Sequence, residues 1–330
     1  MFVFDNKYWP RVNQNIFAES QFELVKLEYI CKLIPRLMLT KIRKSPYFAY
    51  IALAFGILCI GFSAIFVKIA NVPGSVSSFY RILIALVAIL PIWIFRGARI
   101  PSNHDLKLIF IGALFFSVDL FLWNTALLLT SAATATLLAN NAPIWVGLIS
   151  LIVFREKLSN RFWLGLLVAI VGLNILIGLQ AWQNMDFNHG DILSLIAGFF
   201  YALYLLFTLD SRKRVDTIAF MTFSLIFMTI FLFVTNISLG NPFTGFSPKT
   251  WFGLAGLGLV AHFGGWVSIN YALGHLKGAN VSVTLLSQSI VTAILAFFIL
   301  NESLNWNQII GGLLILTGIF VVNRRGNRRS

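Results

Sequence analysis

Apolar residues run almost unbroken through ten stretches of the chain, approximately 48–69, 77–95, 107–130, 133–154, 161–179, 190–208, 217–234, 250–274, 279–300 and 306–323. A membrane-crossing helix needs about 20 mostly apolar residues, and these stretches approach or reach that length. Inside a bilayer the backbone must satisfy its own hydrogen bonds, which leaves helices or a closed barrel. Ile51–Phe66 and Ile309–Val322 show none of the alternation a barrel strand carries. The pattern predicts an all-α membrane protein of ten transmembrane helices, with short connections that set neighbours antiparallel. Tyr47, Tyr50, Trp163, Trp182, Trp251 and Trp306 fall near the ends of the runs, where amphipathic rings anchor at the headgroup level.

Composition agrees with this reading. Hydrophobic residues make up 58% of the 330 and charged residues 11%, against about 45–50% and about 25% in soluble domains. The mean hydropathy is +0.83. A soluble enzyme, a disordered chain and a nucleic-acid-binding domain are thereby excluded. Cys31 and Cys59 are the only cysteines, too few for a disulfide framework or a cysteine metal site.

The net charge of +13 is a topology signal. If both termini are cytoplasmic, Arg96, Arg99, Lys107, Arg155, Lys157, Arg161, Arg212, Lys213, Arg214 and Lys277 share the inner side with every cation of the two termini. The outer loops then hold only Lys249, while Lys68 and Arg81 lie within spans. That asymmetry is the positive-inside rule. It also gives the inner face an attraction for anionic lipid headgroups.

Residues 132–179 and 278–325 align without a gap at an offset of 146 residues. Leu138 meets Thr284, Glu156 meets Glu302, Leu158 meets Leu304, Gly165 meets Gly311 and Gly172 meets Gly318. The alignment predicts two five-helix repeats, 48–179 and 190–323, flanked by an N-terminal extension, 1–47, and a basic cytoplasmic tail, 324–330. Five is odd, so the second repeat enters from the opposite side and the repeats are inverted. Inverted repeats are typical of carriers whose site lies at mid-membrane between the halves. The extension has an amphipathic stretch, Phe22–Leu39, and no signal-peptide order. It reads equally as a helix on the membrane surface or as sequence preceding a true start at Met38.

Several of these segments resemble the drug/metabolite transporter superfamily, specifically its ten-span EamA-type exporters of bacterial inner membranes. The resemblance is carried by the two aligned copies, by Asp119-Leu-Phe-Leu-Trp-Asn-Thr-Ala-Leu and by Thr130-Ser-Ala-Ala-Thr-Ala-Thr-Leu-Leu-Ala-Asn-Asn-Ala-Pro143. Tyr80-Arg-Ile-Leu and Gly264-Gly-Trp-Val-Ser-Ile-Asn-Tyr-Ala-Leu273 add to it. It covers 48–323 and implies export of a small molecule, with the substrate open. The family often keeps a proline in both fourth-type helices. Here Pro143 has Ser289 as its counterpart, which predicts a helix break confined to the first half.

Asp119 lies near the middle of the third span, where an unpaired acid costs about 2.5–3.5 kcal/mol on insertion scales. It reads as a proton-coupling group, a binder of a substrate amine, or a partner of Arg81. Trp123 is one turn on, and an acid beside an aromatic ring suits an ammonium group. Arg81 can snorkel, pair with Asp119 or grip a carboxylate. Asn140 and Asn141 precede Pro143, whose missing N–H frees a carbonyl; they lie on different faces, so one of them is expected at the cavity. His262, Trp266 and Asn270 form a stripe at i, i+4 and i+8 in span eight, and Gln288 is the polar residue of span nine. The expected cavity is lined by spans one, three, four, six, eight and nine, with five and ten peripheral. The Gly165/Gly172 and Gly311/Gly318 pairs predict close helix packing, with a homodimer contact as one use. Glu156 and Glu302 read as turn residues.

No phosphate-cradling loop, metal cluster or nucleophile elbow occurs in the sequence, so no cofactor, ATP drive or enzyme activity is expected. The leading function is a secondary carrier exporting small metabolites, amino acids first among them. Uptake or exchange through the same site is the alternative, and a membrane scaffold or lipid-handling enzyme the remote one.

Overall fold

The structure is a computed structural model and describes residues 46–130, 135, 138–153, 155, 156, 158–177, 188–300 and 306–324. The helical bundle is the unit Ala49–Ser330. The Phe22–Leu39 stretch, Trp182 and Glu302 lie outside the described residues.

Every described element is helical. In order they are α1 (Pro46–Gly61), α2 (Ser63–Ala70), α3 (Gly74–Phe95), α4 (Asn103–Leu129), α5 (Ala142–Ile152), α6 (Asn160–Ile177), α7 (His189–Arg212) and α8 (Thr217–Ser238). There follow α9 (Pro248–Ala255), a π-helix (Gly256–Trp266), α10 (Val267–Leu273), α11 (Gly278–Thr284), a 3₁₀ turn (Leu285–Ser287), α12 (Gln288–Leu300) and α13 (Trp306–Asn323). Among the described residues eight helices or runs of abutting helices are long and apolar enough to cross a membrane, and Ala142–Ile152 and Asn160–Leu176 are shorter apolar helices. The fourth predicted run, 133–154, is seen as α5 preceded by helical residues at 138 and 139 and a turn at Asn140 and Asn141, with 133, 134, 136, 137 and 154 outside the described residues. Large side chains face outward along the bundle, Phe298, Phe320 and Leu313 among them, as a chain solvated by lipid requires. The protein is a multi-pass membrane protein.

Polar side chains fix where the helices begin. The Ser102 hydroxyl accepts from the Asp105 N–H at 3.2 Å and opens α4. Asn188 and Asp191 form a reciprocal capping box at the start of α7. Asp216 accepts from the N–H groups of Ile218 and Ala219 and starts α8. In the α7–α8 connection Arg214 donates to Asp105 at 2.7 Å and to Asp210 at 3.1 Å. The Asp210 and Asp105 carboxylates hold the Arg214 guanidinium above its ordinary pKa.

The predicted glycine pairs meet one another within the chain. A Cβ on Gly165 would stand 2.6 Å from the Gly318 carbonyl, and one on Gly172 2.7 Å from the Gly311 carbonyl. The backbones of α6 and α13 touch through these four positions. The glycine face is therefore covered by the chain itself and offers no contact to a second copy.

Among the described residues four spans depart from the regular α form. The fourth turns at Asn140 and Asn141, immediately before α5 and Pro143. The first span breaks at Phe62, where the Gly61 carbonyl accepts from the Thr292 hydroxyl at 2.9 Å. The ninth tightens to 3₁₀ at Leu285–Ser287. The eighth widens into the eleven-residue π-helix. The expected break in the first half is present at Asn140 and Asn141, but it is not confined there, because the 3₁₀ turn ends immediately before Gln288 and Ser289. No proline is needed there: the Ser287 hydroxyl donates to the Thr284 carbonyl at 2.7 Å and competes with the backbone ladder.

Candidate functional site

The irregular segments of the first, fourth, eighth and ninth spans surround one cavity. Irregular backbone at membrane depth is tolerated where it is buried in protein or lines a polar cavity. The cavity measures about 90 Å³ and is lined by Ile60, Ser63 and Ala64 beside the first break, and by Gln288 and Thr292 after the 3₁₀ turn. Trp266 reaches it from the end of the π-helix, Arg81 from α3, and Phe116, Asp119, Leu120 and Trp123 from α4. Ala139, Asn140 and Tyr201 complete the wall.

One side of the wall is aromatic. Phe116 stacks on Tyr204 with centroids 4.1 Å apart and meets Trp266 edge-on at 4.5 Å. Tyr201 stands nearly perpendicular to Trp266 at 5.8 Å. The phase of α4 explains why one helix supplies ring and carboxylate together, since Phe116, Asp119 and Trp123 are spaced by three and four residues.

A guanidinium and a carboxyl group face this small space. Arg81 is 3% exposed and Asp119 8% exposed. Among the described residues no direct ion pair joins them, and Arg81 Nε has no hydrogen-bond partner. Trp266 Nε1 and the Ser63 hydroxyl are likewise unpartnered. Buried polar atoms are costly to leave unpaired, so the cavity presents donors that a bound polar molecule can use.

Of the nine residues singled out in the sequence, Arg81, Asp119, Trp123, Asn140, Trp266 and Gln288 line the cavity. Three are placed elsewhere. Asn141 donates from Nδ2 to the Leu138 carbonyl at 2.6 Å and to the Leu195 carbonyl at 3.2 Å, and packs on Gly198. Asn270 donates to the Trp266 carbonyl at 2.9 Å and to the Tyr204 hydroxyl at 3.1 Å. Its own carbonyl accepts from Arg212 Nε at 3.0 Å. His262 is buried behind the wall, 6.0 Å from the Phe116 ring and 6.2 Å from the Trp266 ring.

The stripe of His262, Trp266 and Asn270 presumes a 3.6-residue turn. The π-helix spreads each turn over more residues, so His262 and Trp266 no longer share a line. Asn270 lies on the regular α10, turned to Tyr204 and Arg212, and of the three Trp266 alone reaches the cavity. Sequence reading also passed over Tyr201, Ser63 and Thr292; a hydroxyl at mid-span was their only signal. Arg212, a topology charge in the sequence, has a structural role as well. It is buried, donating to the Val215 carbonyl and to Thr217 Oγ1 as well as to Asn270.

Among the described residues no three His, Cys, Asp or Glu side chains gather to hold a metal ion. A cation fork, a carboxylate, aromatic faces and amides together suit a small polar molecule.

The comparison with known sequences decides the family. The EamA-like transporter profile matches twice, over residues 47–178 and again over 188–324. The chain belongs to the EamA-like transporter family. It is 27% identical over 285 residues to an uncharacterized transporter of Archaeoglobus fulgidus, covering 84% of this chain and 97% of that one. It is 24% identical over 252 residues to the uncharacterized transporter YdfC of Bacillus subtilis, covering 76% and 82%. A solved crystal structure aligns with a TM-score of 0.71 at 19% identity, over 84% of this chain and 98% of its own, a likeness of fold alone. The EamA-like chain is thus a membrane transporter, and a small-molecule substrate follows from its family.

Proposed function

We propose that the protein is a secondary carrier that exports small metabolites, amino acids first among them, by alternating access between two inverted five-helix halves. The observation that carries this reading is the cavity itself. Arg81, Asp119 and Trp123 come from one matched segment and Tyr201, Trp266 and Gln288 from the other, so the two segments share a single polar site. Motion of one against the other changes which side the site faces.

An amino acid offers a carboxylate to the Arg81 fork and an ammonium group to Asp119 and the neighbouring rings. The breaks at Phe62 and Leu285–Ser287 supply flexible points where α1 can bend against α2 and α11 against α12. All ten helices cross, counting the segment ending in α5 and the short α6, and both termini are cytoplasmic. Export rests on the family resemblance. The test is a melting-temperature screen of the purified protein against a metabolite library, followed by counterflow of any stabilising compound in liposomes. Ligand binding raises stability in proportion to occupancy. Stabilisation and counterflow by amino acids, both abolished in Arg81→Gln, are expected; stabilisation only by solutes lacking a carboxylate would overturn the assignment.

A further inference from the structure

A second cleft lies at the ends of α6 and α13, away from the transport cavity. It measures about 660 Å³. Three cations line it from three separate places in the fold: Arg161 in the first turn of α6, Lys277 just before α11 and Arg324 just after α13. No carboxylate is among the lining residues, and among the described residues none of the three cations is ion-paired.

The fold compels this gathering of like charge. The glycine contacts lock α6 against α13 and hold Arg161 and Arg324 at neighbouring helix ends. The floor is fixed as well: Asn280 Nδ2 donates to the Val322 carbonyl and to Asn323 Oδ1, each at 3.4 Å. Asn323 Nδ2 donates in turn to the Thr284 hydroxyl at 3.2 Å. Like charges held together without a counter-charge repel, and an anion between them removes that repulsion.

We propose that this cleft binds the phosphate headgroup of an anionic membrane lipid through Arg161, Lys277 and Arg324. The surroundings choose a lipid over a soluble anion. The Arg324 N–H bonds to the Phe320 carbonyl at 2.9 Å, so the helical phase runs on to Arg324. Arg324, Phe320 and Leu316 therefore form one stripe at four-residue spacing, and the two apolar members are exposed. A headgroup in the cleft leaves its acyl chains beside that stripe. Tyr50 on the rim, half exposed, suits the interfacial depth at which its ring and hydroxyl are both satisfied. Lys277 and His275 also line the adjoining groove, which carries Glu156 and Asp210, whereas Arg161 and Arg324 line this cleft alone. The proposal is independent of the transported substrate.

The full-length protein, delipidated in a mild non-ionic detergent, is melted with added phosphatidylglycerol, phosphatidylcholine or inorganic phosphate. Phosphatidylglycerol is expected to raise the melting temperature by about 2–4 °C, and phosphatidylcholine by much less. The Arg161→Gln/Lys277→Gln/Arg324→Gln variant should lose most of that shift. Arg161→Lys/Arg324→Lys, which keeps the charges, and Lys249→Gln, which is remote, should retain it. Equal shifts with the two lipids, or an undiminished phosphatidylglycerol shift in the triple variant, overturn the proposal. So does reproduction of the shift by millimolar phosphate alone, which would make the cleft a soluble-anion site. If the triple variant does not fold, native mass spectrometry of the three single variants replaces it. Each should retain less phosphatidylglycerol than the parent, and unchanged retention in all three overturns the assignment.

Discussion

Asn140 donates from Nδ2 to the Ser289 hydroxyl at 3.2 Å, joining the segment before α5 to the start of α12 across the wall of the cavity. Ser289 is the position that the internal alignment sets opposite Pro143. In place of a proline, the second segment carries a hydroxyl that ties it to the first.

That bond predicts a measurable coupling. Interhelical hydrogen bonds in a membrane average about 0.6 kcal/mol in double-mutant cycles. Asn140→Ala, Ser289→Ala and the double variant, unfolded in denaturing detergent, should give a coupling energy of about that size. Purely additive effects would show that the two side chains do not interact.

The α6–α13 contact gives a steric prediction. A Cβ on Gly311 would stand 2.3 Å from the Leu176 backbone nitrogen, and one on Gly312 3.8 Å from its nearest neighbour. Gly311→Ala should cost about 1–3 kcal/mol as an overpacked contact, whereas Gly312→Ala should stay within about 0.5 kcal/mol. Unfolding curves of the two neighbouring variants settle it. Equal stability would mean that α6 and α13 are not in backbone contact.

The membrane class was legible in the chain because it rests on long apolar runs, which need no knowledge of packing. The glycine contacts were also legible as a packing face, since a seven-residue spacing returns to one side of a helix. The interior of the site was less so. Its walls depend on Phe62, Leu285–Ser287 and Gly256–Trp266, where the backbone leaves the α geometry that periodic reasoning assumes. Asn270, on the regular α10, is a different case: it is a strut between Tyr204, Trp266 and Arg212, and no spacing within its own helix shows the two partners on α7.

Asn270 and Trp123 should therefore separate stability from binding. Asn270→Ala strips a partner from the buried Tyr204 hydroxyl, a loss of about 1–3 kcal/mol, and should leave the half-saturating substrate concentration nearly unchanged. Trp123→Ala removes a cavity wall and should raise that concentration with a smaller stability loss. A binding defect in Asn270→Ala that exceeds the one in Trp123→Ala would reverse these roles.

The proposed orientation is open to labelling. In a chain with Cys31 and Cys59 replaced by Ser, a membrane-impermeant thiol reagent applied to whole cells should modify a cysteine at Asn188 and leave one at Lys213 untouched until the membrane is opened. Lys213 is well exposed, so protection there reports sidedness rather than burial. The reverse labelling would sink the cytoplasmic termini and the inverted repeats together.

Asp119 carries the most specific prediction. Burial favours the neutral acid and a nearby cation favours the carboxylate, and Asp119 shares its cavity with Arg81. A proton and a substrate amine would compete at this one carboxyl group, and such competition couples substrate movement to the proton gradient. Asp119→Asn keeps size and hydrogen bonding and cannot ionise. It should insert normally, exchange substrate across liposomes and lose uphill transport driven by a pH difference. If Asp119 serves only as a counter-charge for Arg81, the variant should instead lose stability, and adding Arg81→Gln should restore part of it. The two outcomes differ in kind, since one spares folding and abolishes coupling while the other damages folding and is repaired by a second substitution. Undiminished pH-driven accumulation by Asp119→Asn would remove Asp119 from the coupling path and leave the protonated group to be sought elsewhere on the cavity wall.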